Sequence, residues 1–175
     1  MSIRIVLLVI CLFLTSPLPY RYLSEKTFGT EKSVAPDPTG CSEHKNFNEP
    51  FSRPNWNGWS NSPSNSRFQD RIAAGLDADR VRRLKLKWAF AYPGDVMAYS
   101  QATVVAGRVF VGSVRGKLYS LNAATGCVYW TYTTNSGVRS AITIGPLNNG
   151  ASFAAYFGDQ SGNVYALDAL TGELI

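Results

Sequence analysis

The stretch GSVRGKLYSLNAATG at residues 112–126 returns 46 positions further along the chain as GDQSGNVYALDALTG at residues 158–172. Both copies keep two glycines, a tyrosine, a leucine and an alanine at matching places, and both close on a Thr-Gly pair. A repeat of about 40–46 residues that holds four short strands is typical of one blade of a β-propeller. The repeat therefore predicts an all-β fold, a partial β-propeller of about two blades.

The segments around this repeat also recur. Trp-Ala-Phe at residues 88–90 corresponds to Trp-Thr-Tyr at residues 130–132, and residues 99–104 correspond to residues 139–144. A loop-forming run at residues 146–150 absorbs the differences in spacing. The strands of one complete blade are thus predicted at residues 100–105, 108–113, 117–122 and 128–133.

Several repeated side chains are interpreted as purely architectural: Trp88, Trp130, Gly126 and Gly172. The turn at Gly126 delivers Trp130 onto the outer strand, where its ring can pack over the neighbouring blade. Residues 84–90 alternate apolar with polar side chains, which predicts a half-buried strand. Asp77 is the expected N-cap of a short helical turn at residues 78–83.

Composition excludes two broad classes of protein. The chain has 175 residues, of which 45% are hydrophobic and 17% charged, with a formal net charge of +5. This balance excludes a disordered polyelectrolyte, which would combine high net charge with few apolar residues. The basic residues are dispersed except at residues 80–87, so no nucleic-acid partner is expected.

The N-terminus predicts export. Arg4 precedes an apolar run at residues 5–14, which as a helix would rise only about 15 Å, too short for a membrane core of about 30 Å. Residues 1–19 are therefore predicted to be a secretory signal peptide, with a short uncleaved anchor as the alternative. A secreted or periplasmic protein follows, not an integral membrane protein. Residues 20–54 are expected to form a polar linker or strap, and residues 55–175 the propeller part.

Export would leave two cysteines, Cys41 and Cys127, in an oxidising compartment. They are candidates for a disulfide, and two separate thiols are the alternative. Cys41 and His44 lack the Cys-x-x-Cys-His spacing of covalent haem attachment, so no haem is expected in this chain. With a single histidine and no ligand spacing, no metal site is expected either.

The sequence LNAATGCVYW at residues 121–130 resembles the tryptophan-docking repeat of the β-propeller dehydrogenases that depend on pyrroloquinoline quinone (PQQ). Residues 167–172 begin a second copy of this repeat. Upstream, WNGW at residues 56–59, NSRFQ at residues 65–69 and LKLKWAF at residues 84–90 are similar to the polyvinyl-alcohol dehydrogenase type of quinoprotein. The resemblance implies a ring of about eight blades. This chain would supply the first two.

The same resemblance implies that PQQ lies over the ring axis with Ca²⁺, and that an alcohol substrate is oxidised with electrons passed to a cytochrome or quinone acceptor. The catalytic carboxylate and the calcium ligands of such enzymes lie in later blades, so no catalytic or metal-binding residue is assigned here. The remaining blades are the implied structural partner.

Candidate cofactor-binding residues come from the propeller geometry. The connections at residues 92–100 and 132–140 belong to the face that carries the cofactor. Arg139 is positioned to pair with a carboxylate of an anionic quinone, because guanidinium and carboxylate form paired charge-assisted hydrogen bonds. A solvated arginine or an ion pair between blades is the alternative. The other candidates on this face are Tyr99, Gln101 and Ser140, with Ser100 beside them.

The sequence is compatible with three functions. The first is the N-terminal portion of an exported PQQ-dependent alcohol dehydrogenase. The second is a non-enzymatic PQQ-like repeat propeller that serves as a binding or assembly scaffold, since a fold alone does not determine function. The third is an inactive truncated gene product, because stacked repeats generally need three or more units to bury a core.

Overall fold

The computed structural model of the protein describes residues 40–42 and 46–175. The predicted signal peptide, the first part of the predicted linker and His44 lie outside the described residues. Within that part, no helix is long and apolar enough to cross a membrane.

Two short helices precede seven strands in the described residues. The helices are α1 (Arg71–Ala74) and α2 (Ala78–Val81). The strands are β1 (Thr103–Val105), β2 (Arg108–Gly112), β3 (Lys117–Asn122), β4 (Val128–Thr133), β5 (Thr143–Leu147), β6 (Ser152–Gly158) and β7 (Val164–Asp168). A 3₁₀ turn, Asn148–Gly150, joins β5 to β6.

The strands form two antiparallel sheets in the order of the chain. One is the four-stranded sheet β1-β2-β3-β4, and the other is the three-stranded sheet β5-β6-β7. Their registers are equivalent, since Arg108 lies opposite Asn122 in the first sheet as Ala154 lies opposite Asp168 in the second. The predicted all-β, partial-propeller fold is confirmed: the first sheet is a complete blade and the second holds three strands of the next.

The backbone conformation of the hairpin turn explains why most of the predicted strand boundaries agree with the structure. Ala106 and Gly107 join β1 to β2 with φ of 52° and 73°, the left-handed pair that a two-residue hairpin turn requires. The strands β3 and β4 begin and end where the repeat predicts. The first strand is shorter than predicted, because Ser100 and Gln101 belong to the preceding connection.

The strand predicted at residues 84–90 is wrong. This segment has no regular secondary structure and pairs with no described strand, and its Leu84 and Leu86 side chains are 64% and 86% exposed. Its repeat equivalent β4 is a strand because β3 lies beside it. An alternating pattern shows which side chains lie on the same face of a segment. It does not show whether a neighbouring strand is present to pair with that segment.

The predicted helical turn does form, as α2, with its Asp77 carboxylate accepting from Arg80 N at 2.8 Å.

Tryptophan docking joins the successive units in two equivalent places. Trp88 donates from Nε1 to Ala123 O at 3.1 Å and covers Gly126. Trp130 donates in the same way to Ala169 O at 3.3 Å, and its ring covers the equivalent turn glycine, Gly172. A Cβ added to Gly172 would lie 2.6 Å from the indole, so the turn accepts only glycine without displacement.

The interface between the two blades contains a buried cation. Arg108 is 1% exposed, and its guanidinium carbon lies 4.0 Å from the centre of the Tyr129 ring. Its Nη1 donates to Leu170 O of the second blade at 3.2 Å. Burial lowers the pKa of Arg108. Phe47, from the predicted linker, is also buried and packs edge-on against Phe110 at 6.2 Å.

A disulfide joins Cys41 to Cys127, which is 86 positions away in the sequence. Cys41 also donates from its backbone N–H to Val128 O at 2.9 Å, so the segment before the propeller is fixed beside the outer strand β4.

We expect Gly172→Ala to lower the free energy of unfolding by about 3 kcal/mol, since the left-handed backbone and the clash with Trp130 act together. Gly162→Ala is the matched control, because Gly162 has φ of 83° and open space around its Cβ position. It should cost about 1 kcal/mol, the backbone contribution alone. Urea unfolding of both variants measures the difference, and equal losses would show that the docking contact contributes nothing.

Reduction of the disulfide should lower the free energy of unfolding by about 2–4 kcal/mol, because the unfolded chain regains the entropy of a long open loop. Urea unfolding with and without a phosphine reductant tests this. The Cys41→Ser, Cys127→Ser double variant should match the reduced protein and be insensitive to the reductant. Unchanged stability of the reduced protein would contradict the expectation.

Candidate cofactor site

The connections between strands come together on one face, which we call the loop face: residues 92–102, 113–116, 134–142 and 159–163. Val138 N donates to Ser113 O at 2.8 Å, which ties the β4–β5 connection to the β2–β3 turn of its own blade. Gln160 N donates to Gly137 O at 2.9 Å and extends the contact to the second blade. The loop face is therefore one continuous surface across both blades.

Arg139 and Tyr99 meet on this face. The guanidinium carbon of Arg139 lies 4.4 Å from the centre of the Tyr99 ring. Both side chains are exposed, and Arg139 forms no ion pair with any residue that the structure describes. Stacking restricts the guanidinium plane while its N–H donors stay available. The pair can thus receive an anion, most effectively a carboxylate.

The other candidate residues lie beside this pair, and their polar atoms largely hold the backbone in place. Ser140 Oγ donates to Gly158 O at 2.9 Å and accepts from Gly158 N at 3.1 Å. Ser100 Oγ donates to Ser140 O at 2.8 Å, which links the two equivalent connections directly. Gln101 Nε2 donates to Ala102 O at 3.3 Å, and its amide oxygen has no donor among the described residues.

Asp95 joins two parts of the loop face, a role that the sequence did not predict. Its carboxylate accepts from Met97 N and from Arg115 N, both at 3.2 Å. Partial burial would raise the pKa of Asp95, but these amides and the Ser113 hydroxyl together lower it. The turn dipeptide Pro93-Gly94 before it was the available signal, since an aspartate after such a turn often bonds nearby backbone.

Three aromatic side chains form a cluster at one end of the loop face, where Tyr92 begins it. Phe90, Tyr92 and Tyr119 lie 5.0–5.7 Å apart, ring centre to ring centre, in edge-on contacts. Burial raises the pKa of Tyr92 and of Tyr119, so both phenols are neutral at neutral pH.

Asp159, the other carboxylate on this face, is a turn residue. It accepts from the Asn163 amide at 2.9 Å, from Ser161 N at 2.9 Å and from the Tyr165 hydroxyl at 2.9 Å. The Asn163 side chain contributes most to lowering the pKa of Asp159. A carboxylate with its acceptor sites filled in this way is poorly placed to take a proton from a substrate. No group of three His, Cys, Asp or Glu residues gathers at one point in the part of the chain that the structure describes.

Residues 88–175, half of the chain, match the repeat family described as "Outer membrane protein assembly factor BamB". The chain belongs to this family of PQQ-type β-propeller repeats. Its relatives include two polyvinylalcohol dehydrogenases, from a Pseudomonas species at 47% identity and from Sphingopyxis sp. (strain 113P3) at 45%. Each alignment covers 120 residues, 67% of this chain and 18% of the relative.

Among solved structures, the chain is similar to quinohemoprotein alcohol dehydrogenase from Comamonas testosteroni, with a TM-score of 0.56 and 23% identity. The match covers 70% of this chain and 19% of that one. It supports the propeller fold. The chain therefore spans about a fifth of the length of the dehydrogenases it matches.

We expect Asp95→Asn to lower the free energy of unfolding at pH 7 and to have a smaller effect at pH 3. The folded-state pKa of Asp95 is depressed, so its stabilising contribution is present above the unfolded pKa near 3.9 and is lost as the pH falls through the folded value. Urea unfolding at the two pH values tests this. A difference between variant and parent that is the same at both would rule out the carboxylate's contribution.

Proposed function

We propose that this chain is the N-terminal part of an exported PQQ-dependent alcohol dehydrogenase, and that its loop face forms part of the cofactor site. The observation that carries the proposal is the Arg139–Tyr99 pair, an oriented cation with free donors on the face where two blades join. The two relatives at 45–47% identity, both polyvinylalcohol dehydrogenases, support the same class of enzyme.

The residues on this face fit an anionic carboxylated quinone. Arg139 would bind a carboxylate in a bidentate manner, and Tyr99 would hold the guanidinium plane. The Gln101 amide oxygen, which has no donor among the described residues, lies in the neighbouring connection, and Ser140 directly follows Arg139. When bound, the quinone would accept the two electrons removed from the alcohol. The calcium ligands and the catalytic carboxylate are proposed to lie in later blades.

Export and electron transfer complete the proposal. A disulfide between Cys41 and Cys127 suits an oxidising compartment, which supports a secreted or periplasmic protein. The electron acceptor is proposed to be a cytochrome or quinone, and the remaining blades to be the structural partner that closes the ring.

Titration of the purified chain with PQQ, with and without Ca²⁺, tests the cofactor site by calorimetry. Arg139→Ala should weaken PQQ binding at least tenfold, because it removes the charge-assisted bonds to the carboxylate. Arg82→Ala is the control, since it makes the same change of charge on an exposed residue that is not part of the loop face. Equal affinity of the parent and Arg139→Ala would overturn the assignment.

A binding or assembly scaffold is the second candidate, and the description of the matching family as an outer membrane assembly factor favours it. A scaffold needs no cofactor. If the folded parent chain does not bind PQQ in that titration, the scaffold becomes the better proposal.

A further inference from the structure

The leading segment, residues 51–68, forms a cleft against the inner strand β5. The cavity has a volume of about 770 Å³, within the usual range for small-molecule sites. Its wall includes Asn55, Trp59, Asn61, Asn65, Arg67 and Thr143. None of the residues proposed for the cofactor lines it, so it is a separate feature of the molecule.

The base of the cleft is fixed to both blades. Trp56 pairs with Val104 of β1 through two backbone hydrogen bonds of 2.8 Å. The Asn57 side chain accepts from Ile144 N at 2.7 Å and donates to Ile144 O at 2.8 Å, as a further strand would. The leading segment therefore lies along the inner edges of β1 and β5, which fixes where the cleft lies.

The rim of the cleft is also held in place before any ligand binds. Ser60 is 7% exposed, and its Oγ accepts from Arg67 N at 3.1 Å. Asn61 Nδ2 donates to Phe68 O at 2.6 Å, which ties the two ends of the rim together. A preformed rim lowers the entropy cost of binding.

The chemistry of the wall favours a neutral ligand rich in hydroxyl groups. A hydroxyl both donates and accepts hydrogen bonds, as an asparagine amide does, so the asparagine side chains of the wall can bind hydroxyl groups in either direction. Trp59 is 48% exposed and offers a ring face to C–H groups. Among the described residues that line the cleft there is no carboxylate to attract a cation, and Arg67 is the single charged one.

Two side chains of the wall still have free bonding capacity. Those of Asn65 and Arg67 form no hydrogen bond or ion pair with any residue in the described part of the chain. Both residues adopt left-handed backbone, with φ of 53° and 52°, which is uncommon for arginine. The cleft thus retains donors and acceptors for a ligand.

We propose that this cleft binds the part of a polyhydroxylated chain that flanks the hydroxyl to be oxidised. Thr143 follows Arg139 by four residues, so their Cα atoms are at most about 14 Å apart. A chain of several hydroxyl-bearing units can extend from the cleft towards the loop face. The inference rests on the proposed function for the oxidation itself, while binding in the cleft requires no cofactor.

Calorimetric titration of the chain with a short poly(vinyl alcohol) oligomer, in the absence of PQQ, tests the cleft. Trp59→Ala should weaken binding at least tenfold and Asn65→Gly several-fold. Glycine is chosen because it tolerates the left-handed backbone of Asn65. Leu86→Ala is the control, since Leu86 is a large apolar side chain that is 86% exposed and lies outside both the leading segment and the cavity wall. It should bind within twofold of the parent.

The outcomes separate this inference from the proposed function. Oligomer binding that survives in Arg139→Ala, after PQQ binding is lost, supports a cleft that acts independently of the cofactor site. PQQ binding without oligomer binding overturns the cleft alone. Equal oligomer affinity of the parent, Trp59→Ala and Asn65→Gly would also overturn it, as would tighter binding of poly(acrylic acid), which would indicate an anion site at Arg67.

Discussion

The contact on which this structure depends is a tryptophan ring over a turn glycine of the next blade. A single sheet of this size cannot bury both of its faces, so each blade needs its neighbour. The ring covers apolar surface, and its N–H donates to a carbonyl of the same turn, as Trp130 does to Ala169. One side chain thus provides both the attraction and the orientation, because the hydrogen bond fixes the direction in which the ring lies.

This orientation determines what the loop face contains. Because the two blades are held in a fixed relative orientation, their connections lie side by side. Residues 40 positions apart in the sequence are then in contact. Ser100 reaches Ser140 O, and Tyr99 lies beneath Arg139. The candidate cofactor site is therefore a consequence of interblade packing: the docked tryptophans bring together side chains that neither blade would assemble alone.

The repeat made the strands and turns of the first blade predictable, because each element occurs twice and the two copies constrain one another. It could not predict features that occur once. Arg108 has alanine as its counterpart in the second blade, and its partners Phe47 and Tyr129 come from distant parts of the sequence. Alternation at residues 84–90 indicated an amphipathic segment but not the absence of a pairing strand among the described residues. The cleft was missed because its wall is a loop without periodicity.

The two arginines that lie between the blades illustrate how environment assigns a role to the same side chain. Arg108 is almost wholly buried, and its cost of desolvation is offset by two rings and by carbonyl and hydroxyl acceptors. Arg139 also stacks on an aromatic ring, but it is exposed, and no acceptor among the described residues bonds its guanidinium. A cation stacked on one ring and otherwise free gains most from a planar anion that can occupy its remaining donors. Packing therefore gives Arg108 a structural role, and it leaves Arg139 accessible on the loop face, as the proposed contact to a carboxylate requires.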